Sequence, residues 1–366
     1  MKVCHLTSVH NRYDVRIFSR ECISLQKAGY NVSLIAADGK IDELKNGINI
    51  YGVAKGSSRI TRMFQTTNNV YKKAIEINAD VYHLHDPELI PTGVKLKKKG
   101  KKVIFDSHED VPQQILNKQW IPFFFRKIIS IIYSLYERKS LKRFDGLISV
   151  NSRIVDRLKK INTNTVMVTN FPIINEYEKN DSKYNKRTIC FAGTICENYM
   201  IHHILDAISE IDNIKFILAG PCYENYLSEL KNKSSWSKVD YKGAISFDKV
   251  IEIYNESSIG VAVHDYTYNV GCKEGSLGFI KNFEFMANEL PVICTDFVVW
   301  KQIIDEEKCG ICVAPNDITA IREAITYLLD NPDIARNMGE NGRSAVVKKY
   351  SWTKQEETLL KFYNQL

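Results

Sequence analysis

Residues 271–296 read Gly271-Cys-Lys-Glu-Gly-Ser-Leu-Gly-Phe-Ile-Lys-Asn-Phe-Glu-Phe-Met-Ala-Asn-Glu-Leu-Pro-Val-Ile-Cys-Thr-Asp296. The pattern predicts a glycine-bearing loop, then a helix from about Ile280 to Asn288, and then a buried strand from Pro291 to Cys294. A helix followed closely by a buried strand is typical of the βα units that form parallel sheets.

The start of this helix predicts an anion site. The first N–H groups of a helix lack partners within it and carry a partial positive charge. Lys281 adds a full charge, and Gly275 and Gly278 allow the backbone to approach a ligand closely. Glu284 follows one turn later, where a carboxylate can accept two hydrogen bonds from a vicinal diol such as ribose. The pattern thus indicates a nucleoside diphosphate, whereas the simpler alternative is an amphipathic helix with Glu284 on its solvated face.

Short apolar runs alternate with helical segments along the whole chain, which predicts an α/β protein. In the first half the predicted strands are Lys2–Thr7, Val32–Ala36, Ile48–Val53, Val81–His85, Lys102–Asp106, Gly146–Val150 and Thr165–Thr169. In the second half they are Thr188–Ala192, Lys215–Ala219, Ile259–Val263, Pro291–Cys294 and Gly310–Val313. The two series predict two doubly wound domains, which bind ligands at the carboxyl ends of their strands.

The length supports two domains, because 366 residues are many for one hydrophobic core. Residues 170–186, between the two series of strands, are polar and rich in turn-forming residues. We place the domain boundary in this segment.

Several motifs resemble family 4 glycosyltransferases of the GT-B fold. In the second half these are Lys281-Asn-Phe-Glu-Phe-Met-Ala287, Leu290-Pro-Val-Ile-Cys-Thr-Asp296, Trp300-Lys-Gln-Ile-Ile304 and Cys309-Gly-Ile-Cys-Val-Ala-Pro315. In the first half they are His5-Leu-Thr-Ser-Val-His-Asn-Arg-Tyr-Asp-Val-Arg-Ile-Phe18, Glu21-Cys-Ile-Ser-Leu-Gln-Lys-Ala-Gly-Tyr30, His83-Leu-His-Asp-Pro-Glu-Leu89 and Asp106-Ser-His-Glu-Asp110. The motifs occur in the family's order from Met1 to about Tyr363.

The resemblance implies two Rossmann-like domains with doubly wound parallel sheets that face each other across a cleft. Residues 1–172 would form the acceptor-side domain, and residues 173–350 would bind the nucleotide-sugar donor. The family's final helix, here residues 351–366, leaves the second domain and packs back on the first. We expect its apolar stripe to bury near Phe18 or the Phe144 segment.

On the donor side, the resemblance assigns nucleotide and diphosphate binding to Gly193, Thr194, Ser276, Leu277, Gly278, Lys281 and Glu284. Lys281 is also a catalytic candidate, because it would stabilise the leaving diphosphate. The sequence departs from the family in two places. The loop after Gly193 lacks the usual cation, and Ser276 stands where the family often has a second glutamate for the donor sugar. We therefore expect backbone amides around residues 276–279 to contact the sugar.

His108 is the second catalytic candidate. It follows a predicted strand, and the family has a histidine here that touches the donor sugar. A lone histidine is more often a structural residue.

Other residues are expected on the acceptor side. These are Asn11, Arg12, Arg16, His85 and Asp86. The two arginines would supply positive charge to a diphosphate, or they would be solvated or bound to a carboxylate. His83 is expected to be buried and hydrogen-bonded.

Composition is that of a soluble globular protein, with 44% hydrophobic and 25% charged residues. No apolar run approaches the roughly 20 residues that span a bilayer. The first residues form a predicted strand rather than an apolar signal segment. The nine cysteines are scattered through predicted strands and helices, which indicates reduced thiols. We therefore expect a cytoplasmic protein.

Basic residues predict an anionic partner, since the net charge is +7 and lysines crowd residues 95–102. Residues 120–143 combine aromatic and aliphatic bulk with cations, which suits a helix at an anionic lipid surface. The alternative is a core helix whose Lys and Arg side chains reach solvent. A lipid-linked acceptor, usual for the family, favours the inner face of the cytoplasmic membrane. No nucleic-acid recognition motif is present, so nucleic acid is not expected.

The resemblance implies transfer of a hexosyl or N-acetylhexosaminyl group from a nucleotide sugar to a glycan or lipid-linked acceptor, with retention, in cell-surface polysaccharide biosynthesis. A UDP-sugar is the first expectation and a GDP-sugar the second. No Asp-x-Asp stands in the usual metal-dependent position, so we expect neither a metal nor another cofactor. The alternatives are a nucleotide-sugar epimerase of the same fold and a non-catalytic sugar- or lipid-binding protein. A nicotinamide oxidoreductase is not expected, because no Gly-x-Gly-x-x-Gly follows a predicted strand.

Overall fold

A computed structural model describes residues 1–58, 61–118, 120–174, 179–267 and 270–366. The chain divides into two compact units, which we call the first and second domains. The first comprises Met1–Asn170 together with Thr353–Leu366, and the second comprises Phe171–Trp352. The boundary segment expected at 170–186 includes residues 175–178, which lie outside the described residues.

An eight-stranded sheet forms the centre of the first domain. Its strands are β1 Lys2–Thr7, β2 Asn31–Ala36, β3 Glu43–Lys45, β4 Ile48–Gly52, β5 Val81–Leu84, β6 Lys102–Ser107, β7 Gly146–Ser149 and β8 Thr165–Met167. The order is β3-β4-β2-β1-β5-β6-β7-β8, and only the β3–β4 pair is antiparallel. The strand order reverses between β1 and β5, which is where doubly wound sheets bind ligands.

Helices connect these strands. They are α1 Ile23–Lys27, α2 Thr67–Ile77, α3 Ile90–Lys98, α4 Val111–Asn117, α5 Phe123–Leu141 and α6 Ser152–Lys159. The π-helical segments Val15–Cys22 and Arg62–Thr66 lead into α1 and α2, and a 3-10 turn at Pro87–Leu89 leads into α3.

The second domain has a six-stranded parallel sheet. Its strands are β9 Thr188–Ala192, β10 Lys215–Ala219, β11 Val239–Gly243, β12 Ile259–Ala262, β13 Val292–Thr295 and β14 Gly310–Val313. The order is β11-β10-β9-β12-β13-β14, with its reversal between β9 and β12. The helices are α7 Ile201–Ile208, α8 Glu224–Lys231, α9 Phe247–Glu256, α10 Ile280–Ala287, α11 Val298–Glu307, α12 Ile318–Asp330 and α13 Pro332–Lys348, with 3-10 turns at Asp181–Asn185, Glu197–Tyr199 and Ser234–Lys238.

Helix α10 is anchored on the sheet at Gly260. A Cβ atom at Gly260 would overlap the ring of Phe285, so the glycine lets the helix approach strand β12 closely. On another side of the helix, the rings of Phe283 and Trp300 lie 4.6 Å apart between centroids, and both are buried. This packing fixes the start of α10 relative to the ends of the strands.

The final helix, α14 Trp352–Asn364, belongs to the first domain from Thr353 onward. The ring of Phe362 lies against Gly146 in β7, where a Cβ atom would overlap it. Tyr363 Oη lies 2.8 Å from His83 Nδ1, and both side chains are buried. The predicted return of this helix to the first domain is confirmed, and it packs beside the Phe144 segment.

The predicted α/β architecture with doubly wound sheets is confirmed, and the ends of the predicted strands agree with the structure to within two residues. The sequence did not predict β3 and β11, each of which is one of the two outer strands of its sheet. Neither strand has a fully buried residue, because an edge strand is not covered on all sides, and so neither shows a continuous apolar run.

Candidate active site

Backbone groups of two loops meet at the carboxyl ends of β9 and β10, beside the strand-order reversal of the second domain. Gly193 follows β9, and its N–H donates to Ala219 O over 2.9 Å. A Cβ atom at Gly220 would overlap the carbonyl group of Gly193, so the loops after β9 and β10 touch through their backbones. Thr194, the next predicted donor residue, is exposed. Gly220 was not predicted as a site residue, although a glycine directly after a strand can indicate a close approach of two backbones.

Helix α10 begins beside Gly193. A methyl group at Gly193 would lie 2.9 Å from Lys281 Cε, so the lysine stem crosses the backbone of this loop. Among the described residues, no side chain caps the helix at Phe279. The uncapped helix start, the Lys281 ammonium and the Gly193 backbone are therefore close together, as in an anion site.

Glu284 lies one turn further along α10 and is mostly buried, with 8% of its surface exposed. Its Oε2 accepts hydrogen bonds from Lys281 Nζ at 2.9 Å and from Tyr254 Oη at 3.1 Å. Burial, and then the charge of Glu284, raise the pKa of Tyr254 well above its usual value, so Tyr254 is a neutral donor. Glu284 does not occupy the solvated face that the simpler reading of the helix required.

The loop before α10 contains the other predicted donor residues. Ser276 O accepts a hydrogen bond from Trp300 Nε1 at 3.2 Å, and Leu277 packs against the second-domain core. The N–H groups of Gly278 and Phe279 donate to the side chain and carbonyl group of Ser276. These two amides, which we expected near the donor sugar, therefore already have acceptors.

In the first domain, His108 is oriented by a buried carboxylate. His108 Nε2 lies 3.0 Å from Asp106 Oδ2, and Asp106 also accepts hydrogen bonds from Arg16 at 2.7 and 3.0 Å. Burial alone would raise the pKa of Asp106, but the charge of Arg16 and then His108 hold it well below its usual range. Asp106 is therefore an anion that fixes the imidazole of His108.

Both candidate arginines bind carboxylates of their own domain. Arg12 donates to Asp38 through two nitrogens and to Glu43 through the third. Arg16 binds Asp106 and also donates to Val168 O and Asn170 Oδ1. Binding to a carboxylate was one of the three alternatives expected for these arginines, and it is the one that the structure shows.

His10 is a charged residue that the sequence analysis missed. Its ring nitrogens lie 3.6 Å from Asp14 Oδ2 and 3.3 Å from Asp86 Oδ1, and hydrogen bonding to these two carboxylates raises the pKa of His10 to about 10. Its ring centroid is 5.1 Å from that of His108. Asp86 also accepts from the backbone N–H of Ser8 at 2.6 Å. Asn11 next to His10 is exposed. The only local indication in the sequence was that Asp14 follows His10 by four residues, which is close enough for the two side chains to pair.

The first domain also contains a buried cluster of three histidines and one glutamate. His5, Glu21, His83 and His85 are all inaccessible or nearly so, and their side chains face one another. His85 was expected at the acceptor side, but it is 2% exposed and its Nε2 lies 2.9 Å from His5 Nδ1. His5 and His83 are paired residues of adjacent parallel strands, a relationship that no local pattern reveals.

Helix α5 exposes apolar side chains and buries polar ones. Its exposed residues include Phe123, Phe124, Phe125, Ile128, Ile129, Ile131, Ile132, Leu135 and Tyr136. Ser130 and Glu137 are buried, and Glu137 binds Arg157. The core-helix alternative therefore does not describe α5. Among the described residues, no helix is long and apolar enough to cross a bilayer.

The cations near α5 are divided between solvent and ion pairs. Lys95, Lys98, Lys99, Lys127, Lys139, Lys142 and Arg143 are exposed. Lys97 instead binds Asp145 at 2.8 Å, and Lys102 binds the carbonyl oxygen of Leu366. The surface that remains is apolar with a basic border.

Two doubly wound domains, with an uncapped helix start beside Gly193 and Lys281 in the second, are the features of a protein of the GT-B class. Residues 17–170 match the family described as Glycosyltransferase Family 4, and residues 173–345 match Glycosyl transferases group 1. The chain belongs to the glycosyltransferases that combine these two domains.

Known proteins agree with this assignment. An uncharacterized glycosyltransferase of Methanocaldococcus jannaschii is 27% identical over 223 residues, which are 61% of this chain and 60% of that relative. The match thus spans about three fifths of the relative's length. Sucrose-phosphate synthase of Thermosynechococcus elongatus has a TM-score of 0.77 at 14% identity, covering 100% of this chain and 98% of that one. HepE of Anabaena, in complex with UDP and glucose, has a TM-score of 0.73 at 11% identity, with 100% of both chains covered.

Proposed function

We propose that this protein transfers a hexosyl or N-acetylhexosaminyl group from a nucleotide sugar to a glycan or lipid-linked acceptor, with retention of anomeric configuration. The observation that carries the proposal is the close approach of Lys281, the uncapped start of α10 and the Gly193 backbone, with Glu284 one turn away. The proposed donor is a UDP-sugar, with a GDP-sugar as second choice. The complex of HepE with UDP and glucose supports this order.

In the proposed complex the diphosphate binds at the start of α10. The N–H groups of the first turn and Lys281 donate to its oxygens. Lys281 then exchanges its contact with Glu284 for one with phosphate. Both hydrogen bonds from described residues to the Glu284 carboxylate go to Oε2, which leaves Oε1 for a ribose hydroxyl.

The proposed chemistry is attack by the acceptor hydroxyl on the face from which the diphosphate leaves. The bond from the anomeric carbon to the phosphate oxygen breaks, the new glycosidic bond forms, and the hydroxyl proton passes to the leaving phosphate. Lys281 and the helix start stabilise the charge that grows on the leaving group. No catalytic metal is proposed. His108, held by the Asp106 carboxylate, is the proposed contribution of the first domain.

We propose an acceptor attached to lipid, and activity at the inner face of the cytoplasmic membrane in cell-surface polysaccharide biosynthesis. The support is helix α5, whose exposed aromatic and aliphatic side chains lie among exposed cations. Apolar insertion and attraction to anionic lipid act together in such helices. Each cation near the lipid surface adds on the order of 1 kcal/mol.

Product analysis tests the proposal. Thermal shifts with UDP and GDP first select the nucleotide, and the purified protein is then incubated with the corresponding sugar nucleotides and extracted lipid acceptors. Release of nucleoside diphosphate together with a glycosylated acceptor is expected. An altered free nucleotide sugar would instead identify an epimerase, and neither nucleotide binding nor turnover would identify a non-catalytic binding protein. Brief chelation should leave the rate unchanged, whereas strict dependence on Mg²⁺ or Mn²⁺ would contradict the metal-free chemistry.

A further inference from the structure

The buried cluster of the first domain assembles the ligand set of a metal centre. His5 lies in β1, His83 lies in β5 and His85 directly follows β5, while Glu21 comes from the π-helical segment that precedes α1. The pairing of His5 with His83 brings the two strands' imidazoles side by side, and His85 follows two residues later on the same face. All four side chains are buried. We propose that these four residues bind one divalent first-row transition metal ion, with zinc expected from the ligand set.

The ligand atoms have the spacing that a metal requires. Glu21 Oε2 lies 3.9 Å from His5 Nδ1, 3.7 Å from His83 Nδ1 and 3.9 Å from His85 Nε2. His5 Nδ1 and His85 Nε2 are 2.9 Å apart, and the four ligand atoms all lie within 4.8 Å of one another. Ligand atoms at about 2.1 Å from zinc lie roughly 3.4 Å apart in a regular tetrahedron. Imidazole and carboxylate together suit zinc and its neighbours in the first transition row.

Each side chain of the cluster has at least one buried polar atom without a hydrogen-bond partner among the described residues. Neither carboxylate oxygen of Glu21 has a hydrogen-bond donor of good geometry among the described residues, and Oε1 lies 3.1 Å from Arg16 Nε. A buried carboxylate without hydrogen-bond donors is costly, because its desolvation is not compensated. A metal cation bound between the three imidazole nitrogens and Glu21 Oε2 would compensate the desolvation of this carboxylate.

Groups around the cluster support the ligands. The second nitrogen of His85 lies 3.4 Å from Asp106 Oδ2, and a carboxylate behind a histidine ligand is a common arrangement in metal centres. Tyr363 Oη lies 2.8 Å from His83 Nδ1, so this hydrogen bond has to be released when the nitrogen binds a metal. Such a site is closed to solvent and stabilises the first domain. It takes no part in the proposed chemistry at the donor diphosphate.

Metal analysis of untagged protein tests the inference without substrate. After expression in defined medium and extensive dialysis, mass spectrometry of the digested protein should find about one first-row transition metal ion per chain, as for a structural site. Glu21→Gln and His83→Gln each remove a ligand and should lower the content at least about tenfold. His203→Gln is the matched control, because His203 lies in the second domain and its Nδ1 contacts Pro315 O at 2.9 Å.

Cobalt provides a second measurement that does not depend on the variants folding. Parent protein refolded with Co²⁺ should show the visible absorption of a four- or five-coordinate site, and zinc should displace this signal. Less than about one tenth of a metal ion per chain in folded parent protein, before and after refolding with zinc, would overturn the inference. Full metal content in folded Glu21→Gln and His83→Gln would overturn it as well, because the metal would then lie elsewhere.

Discussion

Lys281 Nζ lies 2.9 Å from Glu284 Oε2, so the two side chains expected to hold a nucleoside diphosphate form an ion pair with each other. This pair keeps both groups in place on one face of α10, three residues apart. A phosphate and a ribose must therefore compete with an existing contact. Because Glu284 would bind ribose and Lys281 would bind the leaving phosphate, we expect their replacement to affect nucleotide binding and turnover, respectively.

Replacing Glu284 with alanine should mainly weaken nucleotide binding. Loss of charge-assisted hydrogen bonds to ribose should cost about 1.5–3 kcal/mol in the free energy of UDP binding. Titration calorimetry measures this directly, with Glu252→Ala as control because Glu252 is exposed on α9. Equal UDP affinity for Glu284→Ala and the parent would contradict the assignment of α10.

Replacing Lys281 with alanine should mainly slow turnover. Charge on the leaving diphosphate grows in the transition state, so kcat should fall by roughly two orders of magnitude while KM changes much less. Steady-state kinetics should be compared with Lys249→Ala, which removes an exposed lysine of the same domain. A pure KM effect would mean that Lys281 binds substrate and transition state equally.

The charge on His10 should make stability depend on pH. Hydrogen bonds with Asp14 and Asp86 raise its pKa from 6.5 to about 10 in the folded protein. A raised pKa stabilises the fold fully below the unfolded value, and this contribution disappears as the pH rises through the folded value. Denaturant unfolding of parent and His10→Gln should thus differ most near pH 6 and converge toward about pH 10. A constant difference across this range would show that His10 is not charged in the folded protein.

Helix α5 should bind anionic vesicles through its first turn. The double variant Phe123→Ser, Phe124→Ser should reduce co-sedimentation with phosphatidylglycerol-containing vesicles at least about tenfold, since two aromatic side chains lose apolar burial. Binding by the parent should weaken in high salt and with neutral lipid. The matched control is Tyr223→Ser, which removes an exposed aromatic residue of the second domain. Equal vesicle binding by parent and double variant would contradict a membrane role for α5.

Phe362 should stabilise the first domain. Its ring is buried against Gly146, so Phe362→Ala should lower the free energy of unfolding by about 3–5 kcal/mol. Hydrogen exchange should accelerate in β5 and β7 and stay unchanged in β9 and β12. Lys361→Ala, at an exposed position of the same helix, is the control. Unchanged exchange in β7 would mean that the helix contributes little to this domain.

Buried parallel strands were predictable because they appear as continuous apolar runs, as in Lys215–Ala219 and Gly310–Val313. The helix that starts near Ile280 was predictable because its apolar residues recur with helical spacing and a short apolar run follows it. Strands β3 and β11 lack such runs.

Side-chain partners were much less predictable. Arg16 and Asp106 are 90 residues apart in the chain, and only the parallel sheet brings them together. The same holds for His10 with Asp86 and for His5 with His85. The tertiary structure determines which charged side chains lie close together. The sequence therefore indicates which residues carry charge but not which of them pair.

The membership of residues 353–366 in the first domain has a consequence for synthesis on the ribosome. The second domain is one continuous segment, Phe171–Trp352, and all of it is translated before Thr353. The first domain is translated earlier but lacks the helix that covers Gly146 and contacts His83 until residues 353–366 have left the exit tunnel. We therefore expect the order of folding to be the reverse of the order of translation, with the amino-terminal domain completed last.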